Sequence, residues 1–144
     1  MTFLPVKPLD PQAPQRRIAY DPAKSLLRPF APHLPAFRSG ASSPRALLED
    51  CIATIARDEP AIAAFVVQDL AGARRAADAS TARWKAGSPL SPVDGMPIVV
   101  KDMIETADLP TQMNNPIYDG WVARRDAAGV LGPVSYTHLT LPTT

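Results

Sequence analysis

The sequence has almost no cysteine and little histidine. Cys51 is the single cysteine among 144 residues, so an internal disulfide framework is excluded. Cys51 falls within an apolar stripe, which favours a small buried hydrophobe over a nucleophile because no histidine is near it in sequence. The chain has two histidines, and neither a cluster of metal ligands nor a phosphate-cradling loop is found. No metal is therefore predicted.

The chain also lacks an excess of charge of either sign and any long apolar run. Its 15 basic and 14 acidic residues give a net charge of +1, which offers no electrostatic reason to bind nucleic acid or an anionic membrane. The longest apolar run, residues 61–67, is too short to span a bilayer. Residues 1–7 lack the basic-then-apolar layout of a signal peptide. We therefore predict a cytoplasmic protein without nucleic-acid or membrane partners, of unknown oligomeric state.

Proline, in contrast, is abundant. There are 17 prolines, about twice the usual share of roughly 5%, and they are dense from Pro5 to Pro44. Each lacks a backbone donor and biases the preceding residue towards extended geometry. Residues 1–40 are therefore predicted to form a proline-rich extended arm. A polyproline-type recognition peptide is the alternative, since the arm contains P-x-x-P spacing.

Two helices are predicted after this arm. Ser43 can cap a helix that has Pro44 at its first position. Four apolar residues then recur on one face: Leu48, Cys51, Ile52 and Ile55. The helix is expected to break at Pro60, and residues 61–67 are left open as a short helix or strand. A second helix is predicted over about residues 68–86, ended by Gly87.

A loop rich in proline then leads into a short strand. Asp94 and Gly95 mark the loop, and the β-branched residues 98–100 predict a buried strand. Lys101 and Asp102 close the strand, and mostly loop follows. Another helix is expected to start at residues 126–128. No pairing partner is evident for the strand in the sequence.

The last segment of the chain has an unusual composition. Residues 134–143 carry no formal charge and resemble one reading frame of a transposase adapter used in preparing DNA sequencing libraries. The match begins at Pro133. We therefore treat residues 133–144 as a non-native tail and leave them out of fold reasoning.

Residues 37–132 resemble the amidase signature family. The specific part is residues 94–102, which read D-G-x-P, three apolar residues and K-D; the helices before it are weaker signals. The resemblance implies an α/β fold in which helices pack on a mixed sheet. Residues 41–132 would form a partial amidase domain, the amino-terminal part of that fold, with an incomplete sheet.

The resemblance also implies a chemistry. It makes Lys101 the base of a Ser-cisSer-Lys triad that hydrolyses carboxamide C–N bonds in small-molecule substrates and needs no cofactor. The family's Gly/Ser-rich segment, which carries both serines, would lie downstream of this chain, so we expect the 144-residue polypeptide to be inactive. Labelling by a serine reagent together with turnover would contradict this expectation.

The residue types fit that role. A lysine is protonated at neutral pH near its reference pKa of about 10.4, and burial favours the neutral form. Residues 98–100 would carry Lys101 into such an interior; otherwise a lysine in this position simply reaches solvent. Asp102 is predicted to bond nearby amides. Asp108 and Asn114 stand where the family commonly has glycine, and both types tolerate left-handed backbone.

Two other interpretations remain open. One is the subunit of a tRNA-dependent amidotransferase that releases ammonia from glutamine for a partner enzyme. The other is a non-catalytic helical interaction module, which predicts a native stop codon just after Thr144. Because the sheet would be incomplete, we expect the chain alone to be molten or to aggregate, and cooperative thermal unfolding would argue against this.

Overall fold

The computed structural model describes residues 29–131 and the backbone of residues 140–143. Within this part the helices and strands are, in chain order, α1 (Leu34–Ser39), α2 (Pro44–Ile62), α3 (Leu70–Lys85), β1 (Ile98–Lys101) and β2 (Thr140–Thr143). Short 3-10 helices cover Ala31–His33 and Pro116–Tyr118. Residues 128–131 are also helical, as expected after Asp126. The predicted arm of residues 1–28 lies outside the described residues.

The end of the predicted arm is helical rather than extended. Ala31–His33 and α1 each carry a proline in the first turn, Pro32 and Pro35, where the missing amide hydrogen costs no helical hydrogen bond. Phe37 of α1 is buried, and its ring centroid lies 5.7 Å from that of Trp84 in α3. The extended conformation predicted for residues up to 40 is therefore wrong for residues 31–39.

Helix α2 begins as predicted but ends later. Ser43 has extended backbone and its hydroxyl accepts from the amide of Ala46. Pro60 lies inside the helix, on its exposed side. The helix ends at Ala63, which is left-handed, where the carbonyl of Glu59 accepts from the Ala63 amide at 2.8 Å. The carboxylate of Glu59 also accepts from Phe65, so Glu59 stabilises the turn beyond Pro60.

Helix α3 has clear start and stop signals. The Asp69 side chain caps its first turn by accepting from Gly72 at 2.8 Å. Gly87 follows the helix with a φ of +68°, and its amide donates to the carbonyl of Trp84. Gly87 therefore terminates the helix as predicted.

The core lies between α2 and α3. Its centre is Leu48 of α2 against Ala73 and Ala77 of α3, all buried. Ile52 and Ile55 pack on this centre and are partly buried. The apolar face predicted for α2 is thus the face that α3 covers, and small alanines let the two helices approach closely.

Charged residues connect the same two helices at the surface. The carboxylate of Glu49 accepts from Arg74 through both of its oxygens, at 2.8 and 2.9 Å, and from Arg45 at 2.8 Å. Arg45 also contacts Asp78. Hydrogen bonds from Arg74 first, and then from Arg45, lower the pKa of Glu49 to about 2. The predicted solvated faces of the helices therefore form a network across their junction.

Strand β1 pairs in parallel with β2, with Ile98 opposite Thr140 and Lys101 opposite Thr143. The expectation of an unpaired strand is therefore wrong, although the partner lies within residues 133–144. An open strand edge presents free N–H and C=O groups that an extended segment can satisfy. In the described part of the chain, no helix is long and apolar enough to cross a membrane.

Candidate active site

Lys101 is the last residue of β1. Val100 is buried with 7% of its surface exposed, whereas Val99 is 50% exposed and Lys101 is exposed. Successive side chains of a strand point to opposite faces, so Val99 and Lys101 share the open face. The expectation that the strand carries Lys101 into an interior is therefore not met. The described residues cover the opposite face of β1.

Asp102 follows directly and is buried, with 3% of its surface exposed. Its carboxylate accepts from the amides of Gln112 at 2.8 Å and Asn114 at 3.3 Å. Its carbonyl accepts from Met113 at 3.1 Å. The predicted role of Asp102 in bonding amides is confirmed, but the amides lie ten or more residues downstream. Asp102 thus binds a distant loop to the end of β1.

That loop has an unusual backbone. Met113 and Asn114 both have positive φ, 54° and 51°, which directs the amides of consecutive residues towards the carboxylate of Asp102. The prediction that asparagine replaces glycine in a left-handed turn is confirmed for Asn114. Asp108, in contrast, is not among the described residues with positive φ.

The segment after β1 is fixed at its far end as well. Asp126 accepts from the amide of Ala107 at 2.8 Å, and Glu105 pairs with Arg125 at 2.9 Å. The carbonyl of Glu105 also accepts from Ala127 at 2.9 Å. These bonds hold residues 105–107 against the start of the last described helix.

A second buried carboxylate precedes β1. Asp94 has no exposed surface and binds Arg83 of α3 through two hydrogen bonds, at 2.6 and 2.8 Å. The same carboxylate accepts from the amide of Leu90 at 3.1 Å. The carbonyl of Asp94 accepts from the indole of Trp84 at 3.0 Å. The sequence marked Asp94 only as part of a turn, so its role as an anchor was missed.

The charge of Asp94 is stabilised despite burial. Burial raises the pKa of this carboxyl group and is the largest single effect on it, but the hydrogen bonds from Arg83 and Leu90 act in the opposite direction. Together the hydrogen bonds prevail, and the pKa of Asp94 lies below its ordinary value. Asp94 is therefore an ionised anchor at neutral pH.

Gly95 fits where no other residue would. Its φ is +85°, and a Cβ built there would lie 2.6 Å from Cβ of Pro44 and 2.5 Å from the hydroxyl of Ser80. These atoms belong to α2 and α3. The Asp94–Gly95 pair thus attaches the loop to both helices, which explains physically why the segment before the strand needs these residue types.

The end of β1 borders two depressions in the surface. The smaller has a volume of about 110 Å³, and its lining residues are Lys101, Asp102, Met103, Met113 and Asn114. The larger, of about 470 Å³, shares Asp102 and Asn114 with it and extends to Asn115 and Val66. Lys101 therefore borders a concave surface with polar groups from the 112–115 loop.

Cys51 lies elsewhere. It is half-buried and lines a separate cavity of about 250 Å³ with His33, Phe30 and Met96. Its distance from histidine in sequence did not indicate this proximity to His33. Ser43, in turn, is fully used as a helix cap, as predicted.

Comparison with known proteins identifies the origin of this arrangement. The family model for amidases matches residues 46–131, more than half of the chain. The glutamyl-tRNA(Gln) amidotransferase A protein chain from Acidothermus cellulolyticus is 41% identical over 76 residues, which are 53% of this chain and 15% of that protein. Its counterpart from Myxococcus xanthus is 38% identical over 92 residues, 64% of this chain and 19% of that protein. The chain thus spans less than a fifth of these relatives' length.

Solved structures agree. A bacterial aryl acylamidase of the amidase signature family matches with a TM-score of 0.64 and 25% identity, over 77% of this chain and 24% of that one. The peptide amidase from Stenotrophomonas maltophilia matches with a TM-score of 0.65 over 76% of this chain and 22% of that one, at 18% identity, which speaks for the fold alone. These enzymes share the α/β architecture of which the described helices and β1 are one part. Together with the family model, these similarities establish that the chain belongs to the amidase family.

Proposed function

We propose that this chain is the amino-terminal part of a hydrolase that cleaves carboxamide C–N bonds, with Lys101 as its catalytic base. The observation that carries the proposal is the position of Lys101. It lies on the open face at the end of β1, beside a concave surface, while Asp94 and Asp102 hold the segments before and after it. A rigidly held side chain on an open face suits a base that must reach a partner group.

In this proposal, further polypeptide covers the open face of β1 and supplies two serines. Burial of a lysine favours its neutral form, which can accept a proton. Lys101 would take a proton from the first serine, which in turn takes one from the nucleophilic serine. The nucleophile attacks the amide carbonyl, ammonia or an amine leaves, and water hydrolyses the acyl-enzyme. Exposure of Lys101 among the described residues is consistent with this arrangement, since its covering would come from outside them.

The test begins with the genomic coding sequence beyond the codon for Gly132. We expect an open frame that continues into a Gly-Ser-Ser segment. The full-length protein should release ammonia or amine from a panel of aliphatic and aryl carboxamides. Lys101→Ala should lower kcat by about a thousandfold or more, as loss of one member of a catalytic unit does. Lys85→Ala is the matched control, since Lys85 is an exposed lysine in the last turn of α3.

Two results would contradict the proposal. One is a Lys101→Ala enzyme with a kcat within tenfold of wild type. The other is a native stop codon just after Thr144, which would support the helical interaction module instead.

The second candidate is a glutaminase-type subunit of a tRNA-dependent amidotransferase. It is favoured by the relatives at 41% and 38% identity, which are such subunits. The two candidates differ in substrate. A glutaminase subunit should release ammonia from free glutamine and be stimulated by its partner subunits, whereas a standalone amidase should act on simple amides without them. Comparing these activities in the same full-length preparation separates the candidates.

A further inference from the structure

We propose that Arg83 and Asp94 are positioning residues for Lys101: their buried ion pair fixes the start of β1 on the helix pair and so fixes where the lysine amino group stands. This inference rests on the function proposed for Lys101. It assigns a catalytic consequence to a pair of residues that never touch the reacting atoms.

The first step is the geometry of the pair. Arg83 meets Asp94 through two separate nitrogen–oxygen contacts, Nη2 to Oδ1 at 2.6 Å and Nε to Oδ2 at 2.8 Å. Two parallel bonds define an orientation as well as a distance, which a single contact does not. Asp94 has no exposed surface, so water does not compete for these bonds.

The second step is that the chain around Asp94 has little freedom of its own. The indole of Trp84 donates to the Asp94 carbonyl at 3.0 Å, and Gly95 packs directly against Pro44. The amide of Met96 donates to the carbonyl of Val93 at 3.0 Å, closing a turn. An orientation imposed at Asp94 is therefore transmitted into the strand.

The third step is leverage. Lys101 lies six residues after Gly95, and at about 3.3 Å per extended residue this is a span of roughly 20 Å. A tilt of about 3° at the start of such a span moves its end by roughly 1 Å. A misplacement of that size can lower a rate about a hundredfold. Asp102 anchors the end of β1 to the 112–114 loop, and so leaves this tilt relative to the helices to the pair at the start.

The experiment uses the full-length hydrolase and the variants Arg83→Met, Arg83→Lys and Asp94→Asn. Methionine keeps much of the side-chain length without charge, lysine keeps the charge but not the two-point geometry, and asparagine keeps the shape of Asp94. The control is Arg74→Met, because Arg74 also lies on α3 and also binds a carboxylate through two bonds, but that carboxylate belongs to α2.

We expect Arg83→Met and Asp94→Asn to lower kcat about 10- to 100-fold, with KM changed less than about threefold, at a temperature well below the unfolding midpoint. Arg83→Lys should fall between these variants and wild type, and should keep the proposal testable if Arg83→Met does not fold. Arg74→Met should keep kcat within about twofold. A purely structural role would lower the unfolding midpoint and leave kcat per folded molecule unchanged.

Two outcomes would overturn the inference while the proposed function stands. In the first, Lys101→Ala is inactive but Arg83→Lys and Asp94→Asn keep wild-type kcat. In the second, Arg74→Met loses as much kcat as Arg83→Met, so that the effect belongs to the helix junction in general. If Lys101→Ala itself retains activity, the proposed function fails, and the positioning role falls with it.

Discussion

Replacing Gly95 by alanine should destabilise the protein by considerably more than a glycine substitution normally does. The first contribution is conformational, because the φ of Gly95 is +85° and left-handed backbone costs an L-residue about 1–2 kcal/mol. The second is steric. The new methyl carbon would lie 2.6 and 2.8 Å from two carbons of Pro44 and 2.5 Å from the Ser80 hydroxyl. Overpacking of this kind costs about 1–3 kcal/mol.

The matched control is Gly40→Ala. Gly40 has a similar φ of +75°, but a Cβ built there would meet no atom within 4 Å. The control therefore carries the conformational contribution alone, and the difference between the two variants isolates the steric one. Pro44 is the first residue of α2 and has a rigid ring, so it has little room to move away.

The assay is urea-induced unfolding of the full-length protein, followed by circular dichroism, for wild type and both variants. We expect Gly95→Ala to lose about 1–3 kcal/mol more than Gly40→Ala, seen as a lower midpoint at similar slope. Equal midpoints for the two variants would refute the reasoning, because they would mean that the loop is not packed against α2 and α3 as described.

Two further predictions concern the helix pair. The pKa of Glu49 is lowered to about 2 by Arg74 and Arg45, so its stabilising effect is fully present above its ordinary pKa of 4.5 and is lost as the pH falls through about 2. Between pH 4.5 and 2, Glu49→Gln should therefore lose less stability to urea than wild type does, and parallel curves would count against the network. Leu48→Ala should cost about 2–5 kcal/mol, because Leu48 is fully buried at the centre of the core; a loss below about 1 kcal/mol in urea unfolding would contradict that position.

Local signals in the sequence predicted the features that depend on local physics. The helix start at Ser43 follows from a hydroxyl that can reach a free amide three residues on. The stop at Gly87 follows from the freedom of glycine in left-handed backbone. Asp102 was expected to bond amides because a carboxylate after a strand usually finds them.

Proline caused the two errors in the helices. Its effect depends on where it lies in a helix, and the sequence alone does not give that position. Pro32 and Pro35 fall in first turns, where no donor is needed. Pro60 lies near the end of α2, where Glu59 takes over the following amides. A dense set of prolines therefore need not be an extended arm.

The anchors of the candidate site could not be predicted from the sequence. Arg83 and Asp94 are separated by a helix end and a proline-rich loop, and each has the composition of an ordinary solvated charge. Their pairing depends on how the loop folds back over α3, which is a tertiary feature. The exposure of Lys101 likewise depends on which face of β1 the rest of the molecule covers.

The two buried carboxylates also make a ruler of the motif. Asp94 is fastened to α3 and Asp102 to the 112–114 loop, so the number of residues between them is measured from both ends. In a pleated strand, inserting or removing one residue reverses inside and outside for everything beyond it. A single deletion between Gly95 and Val100 would turn the lysine inward and force the carboxylate of Asp102 out. The segment should therefore accept many side chains at exposed Val99 and no change in its length.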